Sequence, residues 1–288
     1  MDWSWNSLIE AWAGHTDPVT RACQSDQRFS YGIYAPKGFT LAGAHEYGLT
    51  VLIHGSSRVA ERLKNEFVDF AERSKTLLLA PMFPCGIIDP MDNHNYKFIE
   101  YKGIRFDLIL LDMVEEVHRD LGINVDKFLL HGFSGGGQFT HRFFYLHPDR
   151  LKAVSIGAPG RITYLDEDEL WYTGIKDFEE KFGKPLDYES MKQVQTLLIV
   201  GAADCEQLNY KGDETYRSGE GRHGPTRVER LRSLHKNYLE KGIPARMIEV
   251  PGVGHENSKV VEYVKGFFIE ALGLTHSPYA TTEIGKDK

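Results

Sequence analysis

The segment Asp126–Gly137, DKFLLHGFSGGG, leaves this chain few folds to choose from. It reads as a short buried strand over Phe128–His131, a tight turn carrying Ser134, and a glycine-rich start to a helix over Gln138–Leu146. Gly132, Ser134 and Gly136 fill the pattern G-x-S-x-G, in which a strand turns sharply into a helix with serine at the apex. Side chains two residues to either side of that apex would collide, which calls for glycine at 132 and 136. The helix then aims its free N–H groups and positive dipole end at the serine. The bare pattern is weak evidence in a chain with 28 Gly, and an ordinary glycine-rich turn is the competing reading. The apolar strand before it and the amphipathic helix after it give it weight.

Compact apolar runs recur on either side. Leu49–His54, Thr76–Pro81, Leu151–Ile156, Gln195–Val200 and Ala245–Val250 read as strands, and Arg28–Pro36 as an early outer strand. Helical periodicity marks Met1–Ala13, Ser57–Ser74, Phe106–Leu121, Pro225–Lys241 and Glu256–Leu272, with Gly122 placed for a left-handed cap. The tryptophans of the first helix, Trp3, Trp5 and Trp12, are expected to pack on the body of the protein. Apolar strands alternating with amphipathic helices predict one α/β domain over 1–288, with a mainly parallel sheet covered on both faces. Residues 157–192 interrupt the alternation and are expected to form a cap or lid. Thr275–Lys288 is polar and expected to fray.

The net charge of −7 and the absence of a basic run argue against nucleic acid or an anionic membrane as partner. Three scattered cysteines (Cys23, Cys85, Cys205) predict no disulfide framework. The N-terminus carries an early acid and no basic, apolar leader, and no run approaches the roughly 20 apolar residues that cross a bilayer. A cytoplasmic location is the expectation. No H-E-x-x-H, C-x-x-C, Walker or G-x-G-x-x-G pattern occurs, so no metal or nucleotide cofactor is expected.

A serine needs a base within reach, and the base needs an orienting acid. After QTLLIV the chain reads GAADCEQ, placing Asp204 beyond a strand's carboxyl end. After ARMIEV it reads PGVGHENS, placing His255 beyond another. Both then share an edge with Ser134, the edge where open α/β sheets build their sites. Glu206 is the second candidate acid and Asp213 a weaker one, and His223 is a distant rival base. For a developing oxyanion, the N–H of Gly135 and that of Ser56, in the loop after LTVLIH, are the expected donors, with Ser57 next. His54 reads as a structural residue.

With HGSS (54–57), GFSGG (132–136), VGAAD (200–204) and PGVGH (251–255), the chain resembles the α/β-hydrolase superfamily over roughly 49–272. Within it the chain looks most like small esterases of the polyhydroxybutyrate-depolymerase and feruloyl-esterase-like group. Those enzymes are typically secreted and often disulfide-bonded, features this chain does not show, and its HG is followed by SS rather than GG. The resemblance implies a mostly parallel eight-stranded sheet and hydrolysis through an acyl-serine, with Ser134 as nucleophile, His255 as base and Asp204 as orienter. Serine at the apex argues against the branches that use aspartate there. The expected substrate is a small-molecule carboxylic ester or lactone. A serine peptidase, an acyltransferase or lyase on the same scaffold, and a non-catalytic binding protein remain the other readings. Pocket walls are expected from 82–101, 157–192 and 208–223, through Ser57, Phe83, Tyr96, Trp171, Tyr172, Tyr210 and Tyr216.

Overall fold

Continuous apolar runs become interior strands because both faces of a parallel sheet are covered. A computed structural model describes residues 4–16, 19–212, 215, 217, 221–274 and 279. Eight strands form one sheet: β1 (Val19–Ala22), β2 (Ser30–Tyr34), β3 (Gly48–Ile53), β4 (Thr76–Met82), β5 (Phe128–Phe133), β6 (Leu151–Gly157), β7 (Gln195–Gly201) and β8 (Ala245–Val250). Their order is β1-β2-β4-β3-β5-β6-β7-β8. β2 runs antiparallel to both neighbours and every other pair is parallel.

Nine helices flank the sheet among the described residues: α1 (Trp5–Ala11), α2 (Ala60–Asn65), α3 (Val68–Ser74), α4 (Phe106–Leu121), α5 (Gly135–Leu146), α6 (Phe178–Phe182), α7 (Tyr188–Gln193), α8 (Arg227–Glu240) and α9 (Asn257–Ala271). Two adjacent residues of β5 show that both faces are covered, since neighbours on a strand point opposite ways. A Cβ on Gly132 would meet Thr140 of α5. His131 instead lies against Phe67, between α2 and α3, and against Asn257 of α9. No helix among the described residues is long and apolar enough to cross a membrane.

The differences from expectation have local causes. β1 is short and half polar, so its pairing with β2 leaves little trace in the sequence. The helix expected over 57–74 is two helices, broken at Phe67 (φ −109°, ψ 4°), whose ring is wholly buried. α5 begins at Gly135, three residues before its first good helix former, because the elbow dictates where it starts. The stretch 82–103 carries a 3₁₀ turn, Asn95–Phe98, and Glu100–Tyr101 pairs in a small hairpin with Ile104–Arg105. Trp5 packs edge-on against Tyr31 with Arg21 over its ring, whereas Trp12 is half exposed and Trp3 lies outside the described residues. Tyr279 apart, so does the tail from 275.

Candidate active site

Sheet register brings four chain segments to one edge. Ile53 pairs with Gly132, Gly157 with both Phe133 and Ile199, and Gly201 with Val250. The residues that follow β3, β5, β7 and β8 therefore leave the sheet side by side, and these are the loops of Ser56, Ser134, Asp204 and His255.

Ser134 sits at φ 57°, ψ −114°, a conformation that side-chain-bearing residues rarely adopt. Its N–H donates to Gly157 O at 2.8 Å, and its own carbonyl accepts the first α5 bond, from Gln138 N–H. Close approach explains the flanking glycines. A Cβ on Gly136 would lie 2.2 Å from Ile53 O, and one on Gly132 would lie 2.5 Å from Gly136 O.

The acid and histidine loops are joined backbone to backbone: Ala202 N–H donates to Val250 O (2.9 Å) and Ala203 N–H to Val253 O (2.8 Å). That clasp brings His255 Nδ1 to 2.6 Å from Asp204 Oδ2, so Nδ1–H donates and Nε2 is free to accept a proton. The His255 ring also rests against Phe133, 4.9 Å between centroids. Asp204 Oδ1 accepts from Arg227 Nη1 at 2.9 Å. Burial raises the Asp204 carboxyl, but His255 and Arg227 more than offset it and hold it below the usual carboxylate range. Glu206 meets the outer side of the same guanidinium at 3.0 Å, is largely exposed, and makes no bond to His255. His223 stacks on Tyr164 (3.5 Å) and does not line the cleft that holds Ser134. Asp213 lies outside the described residues.

Ser134 and His255 line one cleft of about 430 Å³, together with Ser56 and Ser57. No hydrogen bond joins Ser134 Oγ to His255 in this geometry; such bonds commonly tighten only around substrate. Ser56 N lies 3.0 Å from where a Cβ on Gly135 would stand, so the two expected oxyanion donors are neighbours. The loop that carries Ser56 is fixed from behind. His54, wholly buried, donates from Nδ1 to Gly55 O (2.9 Å) and accepts at Nε2 from Phe83 N–H (3.1 Å). Burial pushes its pKa down to about 4, so it stays neutral. Tyr96 donates its hydroxyl to His54 O at 2.9 Å.

Arg58 is one of two residues of this site that the sequence does not announce. At φ 57° it turns back and donates to Ser56 O (2.9 Å), Phe83 O (2.9 Å), Asn93 O (2.8 Å) and Asn95 Oδ1 (3.2 Å), and its guanidinium covers the Tyr96 ring. An arginine just after HGSS carries no motif, so nothing but the fold announces it. Arg227 is the other.

The expected pocket walls are corrected. Phe83 and Tyr96 are fully buried behind the Ser56 loop, stacked 5.5 Å apart, because that loop needs an apolar backing. Trp171, Tyr172 and Tyr210 lie elsewhere: the first two wall a different cleft, and Tyr210 lies against the Arg161 guanidinium. No residue of 157–192 lines the Ser134 cleft. That segment is held to α5 and α8 by Arg142–Thr163, Tyr145–Thr163 and Tyr164–Arg230 hydrogen bonds. The outer wall is instead Val59, Arg62, Leu63 and Glu66 opposite Glu256 and Asn257, with Asn257 donating to Glu66 at 2.9 Å. Tyr216 lies outside the described residues.

No family model matches the chain, and no curated protein matches it in sequence. Solved structures do match in fold. LpqC, described as a poly(3-hydroxybutyrate) depolymerase from Bordetella parapertussis, aligns over 95% of both chains at 20% identity with a TM-score of 0.71. Poly(aspartic acid) hydrolase-1 from Sphingomonas sp. KT-1 aligns over 83% of this chain and 92% of its own at 20% identity (TM-score 0.65). The S-formylglutathione hydrolase FrmB from Staphylococcus aureus aligns over 88% and 95% at 13% identity (TM-score 0.54). The chain has the α/β-hydrolase fold.

Proposed function

We propose that the protein is a serine hydrolase that cleaves a carboxylic ester through an acyl-serine. The observation that carries this reading is the 2.6 Å Asp204–His255 bond beside a serine held at a strained apex in the same cleft. In this mechanism Ser134 Oγ attacks the ester carbonyl carbon while His255 Nε2 takes its proton. Asp204 holds the tautomer that leaves Nε2 unprotonated at the start, and Arg227 holds Asp204. The N–H groups of Gly135 and Ser56 receive the oxyanion, helped by the positive end of α5. His255 returns the proton to the departing alkoxide, the C–O bond breaks, and an acyl-serine remains. Water then attacks with His255 as base again, releasing the acid and restoring Ser134. Every step uses protein groups and water. Several structures alike in fold are described as esterases or serine hydrolases, which supports the reading without identifying the substrate.

A fluorophosphonate should label the protein at Ser134, located by mass spectrometry of the modified peptide, and Ser134→Ala should abolish both labelling and ester hydrolysis. Full esterase activity in that variant would overturn the assignment.

A further inference from the structure

One hydrogen bond crosses the cleft at Ser134 from wall to wall. One wall comes from α2 and its flanks, through Val59, Leu63 and Glu66, and the other from the start of α9, through Glu256 and Asn257. Asn257 Nδ2 donates to Glu66 Oε2 at 2.9 Å. Asn257 follows His255 by two residues, so their Cα atoms lie within about 7 Å of each other. The bridge therefore spans the cleft beside the reacting groups.

It is locked in one orientation. A carboxylate can only accept, so the Asn257 amide nitrogen faces Glu66 and its oxygen faces His131 Nε2, 3.4 Å away. Nε2 of His131 then carries the hydrogen, and Nδ1 accepts from Ser155 Oγ at 3.1 Å. The other oxygen of Glu66, Oε1, meets Arg62 Nε at 3.5 Å. On the sheet side of the bridge the protein is packed solid: His131 is wholly buried, its ring against the wholly buried ring of Phe67, and neither lines the cleft. Glu66 and Asn257 belong neither to the triad nor to the oxyanion donors, so the proposed mechanism leaves their bond without a task.

We propose that the Glu66–Asn257 bridge sets the chain length of the substrate: it ends the slot between α2 and α9, so the ester chain seated there is short. This inference rests on Ser134 as the nucleophile. A longer chain would press its methylenes onto an ionised carboxylate and strip water from it, a cost that apolar contact does not return. In a slot without the bridge, where Leu63 and Phe67 would receive the chain, each added methylene should instead raise kcat/KM about fourfold. The chain is either the acyl or the alcohol half of the ester.

The test compares kcat/KM for p-nitrophenyl butyrate and octanoate, and for butyl and octyl acetate, in the full-length protein and in three variants. The unmodified protein should hydrolyse the eight-carbon member of one pair about tenfold less well than the four-carbon member. Glu66→Ala and Asn257→Ala, both at half-buried positions, break the bridge from either side and should raise that eight-to-four ratio about tenfold. Glu66→Gln still offers Asn257 an acceptor oxygen and should keep the original ratio. The pair that responds identifies the half of the ester in the slot, and a ratio within one preparation is insensitive to partial loss of folded protein. Fluorophosphonate labelling at Ser134 with no preference for four carbons, with one ratio in all four proteins, or with a shift in Glu66→Gln equal to that in Glu66→Ala would overturn the length assignment alone. Absence of both labelling and hydrolysis would overturn the hydrolase reading, and the length assignment with it.

Discussion

Asp204 and Glu206 are two residues apart, and their surroundings separate their roles. Asp204 is buried between His255 and Arg227, while Glu206 meets the same arginine from solvent. Under the proposed mechanism Asp204→Asn lowers kcat by about 10⁴, because the amide no longer holds the required imidazole tautomer. Glu206→Gln changes kcat less than about threefold, since an exposed ion pair is worth about 1 kcal/mol or less. Steady-state kinetics on one ester checks both. Arg58 acts at a distance from the chemistry. It ties Ser56 O to Phe83 and Asn95, so Arg58→Met is expected to loosen the Ser56 donor and lower kcat roughly 10²-fold with little change in KM. A fall in KM-limited binding alone, with kcat intact, would make it merely structural.

Among the elements, α5 joins the sheet to the site with no slack. A Cβ at Gly136 has 2.2 Å to Ile53 O, a backbone atom of β3, and cannot be accommodated without moving helix or strand. Gly136→Ala should cost about 1–3 kcal/mol or more in denaturant unfolding. A Cβ at Gly135 instead meets Tyr96 Oη (2.7 Å) and Ser56 (Oγ 2.9 Å, N 3.0 Å). Gly135→Ala should therefore cut ester hydrolysis about 10²-fold while costing less stability, which unfolding and kinetics together distinguish. The start of α8 is a capping box: Thr226 accepts from Glu229 N–H while the Glu229 carboxylate accepts from Thr226 N–H, and this fixes the turn that presents Arg227.

At the scale of the molecule, three wholly buried histidines, His54, His131 and His141, make stability depend on pH, the last with its pKa held well below the ordinary value by burial. His54 and His131 each have their pKa pushed down to about 4 by burial, against 6.5 for a free imidazole. Between pH 6.5 and 4 the unfolded chain holds protons that the folded chain does not, so stability falls as pH falls and the loss is complete below about 4. For each of these two rings the loss is roughly 3 kcal/mol. Asp204 adds to the loss further down: its depressed carboxyl stabilises the fold above its unfolded pKa, and that contribution disappears as pH drops through the folded one. The melting temperature should decline from pH 7 to 4.5, and a flat profile would contradict the neutral, buried state of these rings.

Much of this architecture was legible in the chain because its signals are local. Apolar runs of strand length, the Gly122 cap (φ 75°) at the end of α4, and the G-x-S-x-G turn each act through neighbours a few residues away. The strand-end positions of Asp204 and His255 follow from the same reading, since a loop leaving a parallel strand has one edge to leave from. Tertiary structure decided what depends on distant partners. It paired β1 with β2, broke the 57–74 helix at Phe67, and aimed the Arg58 guanidinium across to 83–95. It also turned Phe83 and Tyr96 inward and gave Trp171 and Tyr172 to a second cleft. A side chain's partner across the fold is set by how separate segments pack, and periodicity within one segment carries no record of that.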